Sequence, residues 1–158
     1  RAYEIVKTDP DAPSDFNQLT ESILEEITDI PESVRRRVIF IIRESESVRE
    51  AVSALTNRDY FTFSRIVNRS HEGLRDRFEI SCPELDWLVK RALEFVIPDV
   101  PDLVCSRMTG RGFGGCTYAI VRSSDEKTYC QKLDEYERIF GFKPIRYTVA
   151  PSDGARVL

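Results

Sequence analysis

From residue 107 to residue 116 the chain reads Arg107-Met108-Thr109-Gly110-Arg111-Gly112-Phe113-Gly114-Gly115-Cys116, and four of its seven glycines fall within six positions. Apolar runs flank this stretch, Leu103-Val104 before it and Tyr118-Ala119-Ile120-Val121 after it. Glycine lacks a Cβ, so such a segment takes up positive φ without steric penalty and lets another group approach its backbone. Two readings fit. One is a strand–turn–strand with an irregular connection. The other is a backbone cradle for phosphate, or for another phosphate-binding loop. The stretch matches neither the Walker-type phosphate loop nor a dinucleotide-binding turn, because both lead into a helix and a strand-like run follows here.

The residues before it are helical in pattern. Leu19, Ile23, Leu24 and Ile27 recur at helical spacing and predict a helix over about Asp15 to Thr28. Pro31 suits the first turn of a long helix that runs to about Thr56, with Val34, Val38, Ile41, Ile42, Val48, Val52 and Leu55 on one face. Arg35, Arg36 and Arg37 near its start read as a solvated face, or as a basic group directed at an anionic partner. A third helix, about Tyr60 to Arg77, carries Phe63, Ile66, Val67, Ser70 and Leu74 as its buried stripe. His71 stands beside that stripe and reads as a hydrogen-bonded packing residue. It does not form a catalytic dyad with Ser70, since adjacent side chains on a helix diverge by about 100°. Phe78-Glu79-Ile80 looks extended. Ser81 and Glu84 read as a capping box with Pro83 in the first turn, opening a helix to about Phe95. Trp87 reads as a packing residue.

After the glycines, Ser123-Ser124-Asp125 predicts a turn into a helix that carries Leu133, Tyr136, Ile139 and Phe140 and ends at Gly141. Pro144 to Val149 alternates like a strand, and Pro151 to Arg156 forms a polar turn. Residues 1–14 read as a connector, and Pro98 and Pro101 break the chain ahead of the glycines. Helices segregated from a small, mainly antiparallel sheet make an α+β domain.

At 158 residues the chain is long enough for one domain with its own core. A net charge of -4 argues against general affinity for nucleic acid. The longest apolar run, Val38 to Ile42, is closed by Arg37 and Arg43 and is too short to span a membrane. We therefore expect no nucleic-acid or membrane partner. Cys82, Cys105, Cys116 and Cys130 make no CxxC pair and His71 is the one histidine, so buried reduced thiols are expected in place of zinc or disulfides. The location expected is cytoplasmic. The chain does not begin with Met, which suggests a fragment or a processed product.

Three stretches carry a resemblance. Ser70-His71-Glu72-Gly73-Leu74-Arg75-Asp76, continuing through Glu79-Ile80-Ser81-Cys82-Pro83-Glu84-Leu85-Asp86, resembles a segment of the galactokinases, members of the GHMP family of small-molecule kinases. Ser106 to Cys116 resembles the third signature motif of those enzymes. Pro151-Ser152-Asp153-Gly154-Ala155-Arg156 looks like their C-terminus. The resemblance runs from about Val34 to the end. It implies a GHMP kinase C-terminal domain, ferredoxin-like, over residues 15–158. It implies also that this is half of a two-lobed enzyme, because neither the sugar-binding string nor the Ser-rich phosphate loop of the N-terminal lobe is found in this sequence.

The resemblance implies ATP and Mg²⁺ as cofactors, bound mainly by the N-terminal lobe, with galactose or a related sugar as substrate. Arabinose or N-acetylgalactosamine kinases, and non-catalytic sugar and ATP sensors, share the pattern. No catalytic or metal-binding residue is expected in this segment. Met108, Thr109, Gly110, Arg111, Gly112, Phe113, Gly114 and Gly115 are expected to form an active-site loop at the lobe interface, packed against the phosphate loop of the other lobe. Three positions depart from the family pattern: Arg111 stands where a small residue is usual, Cys105 replaces a glycine, and Gly73 replaces a serine. The guanidinium of Arg111 is placed to reach an ATP phosphate, to obstruct the loop pair, or to point to solvent.

Overall fold

The computed structural model describes residue 8, residues 15–97 and residues 103–154. The expected connector over residues 1–14, Thr8 apart, lies outside the described residues, as do Pro98, Pro101 and the last residues of the closing polar turn.

The predicted first helix is divided. A 3-10 turn, Phe16–Gln18, is followed by α1, Glu21–Glu26. Thr20 separates them: its hydroxyl accepts the Ile23 N–H at 3.3 Å, as an N-cap does. Helix α2 spans Glu32–Thr56, with Pro31 at the cap position and its carbonyl accepting the amides of Val34 and Arg35. The cluster of Leu19, Leu24, Ile27 and Ile30 with Val38 and Ile42 seals α1 against the first half of α2.

The second half of the predicted α2 face is not buried. Val48, Val52 and Leu55 are exposed, whereas Phe40 and Ala54, outside that face, are buried. Helix α3, Tyr60–Asp76, crosses back over α2, with Asp59 capping the Thr62 N–H at 3.0 Å. Four residues of its predicted stripe, Ile66, Val67, Ser70 and Leu74, are buried, and the fifth, Phe63, is partly so.

Two local predictions give way after α3. Phe78-Glu79-Ile80 is no strand, because Glu79 takes a left-handed φ of 61° and turns the chain. The predicted capping box is absent as well. Helix α4 is Pro83–Leu93 with Cys82 at the cap position and no side-chain cap, and Ser81 donates instead to Asp86 at 2.5 Å.

Strands β1, Cys105–Thr109, and β2, Cys116–Ile120, pair antiparallel, with Thr109 opposite Cys116 and Cys105 opposite Ile120. They form a two-stranded sheet, and α3 and α4 pack on β1. Phe40, Leu74, Leu85 and Met108 close the core between these elements. The predicted last helix is also divided, into α5, Glu126–Leu133, and α6, Tyr136–Phe140; the latter ends at Gly141, whose φ is 80°. Trp87 of α4 packs edge-on against Tyr136 and Phe140, the packing role its position suggests.

Residues 144–149 are not a strand, although they alternate. Ile145, Tyr147 and Val149 are 80%, 80% and 82% exposed, and no neighbouring strand among the described residues lies beside them. Helices on a small antiparallel sheet remain the architecture, as the α+β reading requires. Among the described residues no helix is long and apolar enough to cross a membrane.

Candidate functional site

The glycine-rich stretch is the connection of the β1–β2 hairpin. The strand–turn–strand reading is therefore its geometry. Met108 lies in β1 and is buried, Thr109 ends the strand, and Gly110 to Gly115 form the loop. The φ angles of Gly110, Gly112, Gly114 and Gly115 are all positive, and Phe113 joins them at 57°. Phe113 is 76% exposed at the turn. Arg111 is exposed and forms no ion pair among the described residues.

Two of the glycines have different reasons. At Gly112 the constraint is contact: a Cβ would come 2.2 Å from the Ile80 carbonyl oxygen. At Gly114 nothing lies within 4 Å, and the constraint is conformational, a φ of +128° that L side chains rarely adopt. The Gly112 backbone lies against the turn after α3. The Phe113 N–H donates to that same Ile80 carbonyl at 2.7 Å.

The base of the loop is held from three sides. On the outer edge of β1, the Ser106 N–H donates to Asn68 Oδ1 at 3.0 Å and the Met108 N–H to His71 Nδ1 at 3.3 Å. From α2, Glu44 accepts from Arg107 at 3.1 Å and from the Ser70 hydroxyl, joining α2, α3 and β1. From α4, Asp86 lies 3.2 Å from His71 Nε2 while accepting from Ser81. That contact falls short of a full hydrogen bond and acts as charge–dipole attraction.

Burial holds the His71 imidazole below its ordinary pKa; the Asp86 charge opposes this, and Arg75 and Arg107 add to it. His71 is thus neutral, with its proton on Nε2, and packs as its place beside the stripe suggests.

The arginine triplet is neither a free solvated face nor a group waiting for an outside anion. Arg35 donates to the carbonyls of Leu24 and Ile27 and closes the end of α1. Arg36 and Arg37 both hold Glu79, at 2.6 Å and 3.0 Å. The hydrogen bond from Arg37, then the charge of Arg36, keep the Glu79 carboxyl below the usual carboxylate range. These contacts brace the turn on which the glycine loop rests.

All four cysteines are free thiols. Burial pushes the Cys105 thiol up to about 11, which makes it inert. Among the described residues no three His, Cys, Asp or Glu side chains gather as metal ligands. An open cleft is lined by Glu21, Arg43, Glu44, Glu50, Arg69 and Glu72, and no residue of the glycine loop lines it. Its charges pair across it, Arg43 with Glu21 and Arg69 with Glu50.

Asn68, Glu44 and Ile80 carry none of the usual marks of a site in the sequence. Only the spacing of Asn68 and His71, three apart on one helix face, hints that they act together.

A hairpin with this loop, braced by a helix that carries Ser70-His71 and by the Pro83 helix, has known counterparts. The family described as GHMP kinases C terminal matches residues 51–136, from the end of α2 to the start of α6. The chain belongs to this family.

Among other members of the GHMP kinases, a Treponema pallidum (strain Nichols) protein that carries a galactokinase name is 67% identical over 157 residues. That match takes in 99% of this chain and 39% of the relative. The galactokinase of Clostridium acetobutylicum is 38% identical over 144 residues, covering 89% of this chain and 36% of its own length. The human galactokinase is 39% identical over 123 residues. The crystal structure of Lactococcus lactis galactokinase complexed with galactose superposes with a TM-score of 0.74 at 26% identity, over 90% of this chain and 36% of that one. The chain thus spans about two fifths of the length of the relatives it matches.

Proposed function

We propose that this chain is the C-terminal part of a two-lobed, ATP-dependent sugar kinase of the galactokinase type. The whole enzyme transfers the terminal phosphoryl group of ATP to the C1 hydroxyl of galactose, giving ADP and galactose 1-phosphate. The observation that carries this reading is the 67% identity to the Treponema relative, sustained over 99% of the chain. A cytoplasmic location belongs to the same proposal.

Phosphoryl transfer rests on positioning and on stabilising charge. In this reading the groups that act on the sugar hydroxyl come from the N-terminal lobe, and no catalytic residue is assigned here. Gly110, Gly112, Gly114 and Gly115 supply backbone shape at the lobe interface. Met108 and Thr109 anchor the loop to β1, and Phe113 fixes its turn. Arg111, exposed beside them, faces outward and is available to an anion. ATP supplies the phosphoryl group when it is bound. The described residues do not fit a metal ion, so Mg²⁺ is assigned to the other lobe and no step is derived through it.

The partner lobe has a natural seat. Ile145, Tyr147 and Val149 form an alternating apolar row that is almost fully exposed, and such a row suits burial against a neighbouring lobe.

The test is turnover by the full-length protein, with ATP and a panel of galactose, arabinose and N-acetylgalactosamine. Galactose is expected to give the highest kcat/KM. Absence of sugar-dependent ADP release with all three would overturn the proposal. The 158 residues alone are expected to transfer nothing.

A further inference from the structure

Strand β1 has β2 on one side and, among the described residues, no strand on the other. In a strand, residues two apart send their amides to the same side, and buried amides need acceptors. On the outer edge of β1 those amides belong to Ser106 and Met108, both buried. Their acceptors are the side chains of Asn68 and His71, three apart on α3. One helix face thus stands in for the missing strand. It grips β1 at the second and fourth of its five residues, the latter one residue before the strand ends at Thr109.

The grip at Met108 depends on a proton being absent. His71 Nδ1 accepts the Met108 N–H only through a free lone pair; protonation there would set two donors against each other. The charged groups around the ring are Asp86 on α4, Arg75 and Asp76 on α3 and Arg107 on β1, with Glu44 of α2 behind Arg107. Asp86 favours the imidazolium, while the two arginines and burial oppose it.

We propose that Asn68 and His71 are positioning residues for the phosphoryl transfer, fixing the register of β1 so that Thr109 to Gly115 leaves the sheet at one defined point. This rests on the reading of that loop as part of a kinase active site. Neither side chain touches substrate. Each acts through the β1 backbone, and His71 does so only while neutral.

Two substitutions separate the halves of the imidazole. In His71→Asn the amide oxygen stands near the place of Nδ1 and keeps the acceptor for Met108. In His71→Gln the amide nitrogen stands near the place of Nε2 and keeps the contact with Asp86 but loses that acceptor.

In the full-length kinase, His71→Gln is expected to lower kcat by about tenfold with the sugar KM unchanged, because orientation is lost and binding is not. His71→Asn is expected to stay within about threefold of wild type. The wild-type kcat should fall on the acid side as His71 protonates, and His71→Asn should lack that limb. Hydrogen exchange at the Met108 amide should accelerate in His71→Gln and not in His71→Asn.

Equal loss in the two variants, or an acid limb that survives in His71→Asn, would overturn the proposal. Faster exchange at Met108 with unchanged kcat would overturn it too. If the wild-type protein phosphorylates no sugar, the kinase reading falls and the catalytic part of this proposal falls with it. Unchanged exchange in His71→Gln sinks the latch itself, whatever the enzyme does. Should His71→Gln fail to fold, Asn68→Ala carries the same test, since Asn68 is only partly buried and is expected to show the same loss of kcat.

Discussion

Gly112 and Ile80 meet backbone to backbone: a Cβ on the first would stand 2.2 Å from the carbonyl oxygen of the second. That oxygen already accepts the Phe113 N–H. The loop is therefore seated on the turn that follows α3, and Arg36 and Arg37 brace that turn through Glu79. Gly112→Ala is expected to destabilise the fold by about 1–3 kcal/mol, since it adds a clash to a strained φ. Urea midpoints followed by Trp87 fluorescence measure this. An unchanged midpoint would remove the contact from the account.

A second close fit couples α3 to α2. A Cβ on Gly73 would meet the Phe40 ring at 2.3 Å, and that ring is held in the core by Leu74, Leu85 and Met108. The absence of a side chain at Gly73 thus makes room for the Phe40 ring. Gly73→Ser is expected to cost about 1–3 kcal/mol, as overpacking does. Combined with Phe40→Leu, the cost should be less than the sum of the two single changes. Strict additivity in a double-mutant cycle would show that the two positions are not coupled.

Stability should depend on pH through His71. Its folded pKa lies below 6.5, so the unfolded chain takes up the proton first as pH falls. The contribution of neutral His71 is complete above 6.5 and is lost as pH falls from there through the folded pKa. Carboxylates held low by their partners, such as Glu21 and Asp76, act in a lower range. With one histidine in the chain, the upper window belongs to His71. Unfolding midpoints across this window should slope in the wild type and flatten in His71→Asn. Matching slopes would count against the assignment.

The thiols should separate by rate. Cys116 is exposed, whereas Cys105 is buried with its pKa raised to about 11. Alkylation read by mass spectrometry should modify Cys116 first and reach Cys105 only on unfolding. Early labelling of Cys105 would mean that β1 opens readily.

The hairpin was legible because its cause is local: clustered glycines between two apolar runs. The cap at Gly141 and the stripe of α3 were legible for the same reason. What the sequence hid depends on partners. Periodicity marks Val48, Val52 and Leu55 as one face of α2, but no described element covers that half of the helix, so they stay exposed. Alternation marks Ile145, Tyr147 and Val149, but a strand needs a neighbour, and none of the described strands lies beside them. Thr20 falls inside the helix expected over Asp15 to Thr28, but its hydroxyl takes the Ile23 amide as a cap and divides that helix. At the loop, the glycines announce themselves. The groups that hold it, Asn68, Glu44 and Ile80, are an ordinary amide, an ordinary carboxylate and a carbonyl, and only the fold brings them together.

The helix face that replaces a strand beside β1 also restricts how this gene can change. Each residue added to a helix rotates everything beyond it by about 100° and advances it by about 1.5 Å. A single codon gained or lost between the Asp59 cap and Asn68 would swing both acceptors off the sheet and leave two buried amides unpaired. Helix α3 should therefore tolerate substitution along its outer side yet admit no insertion or deletion.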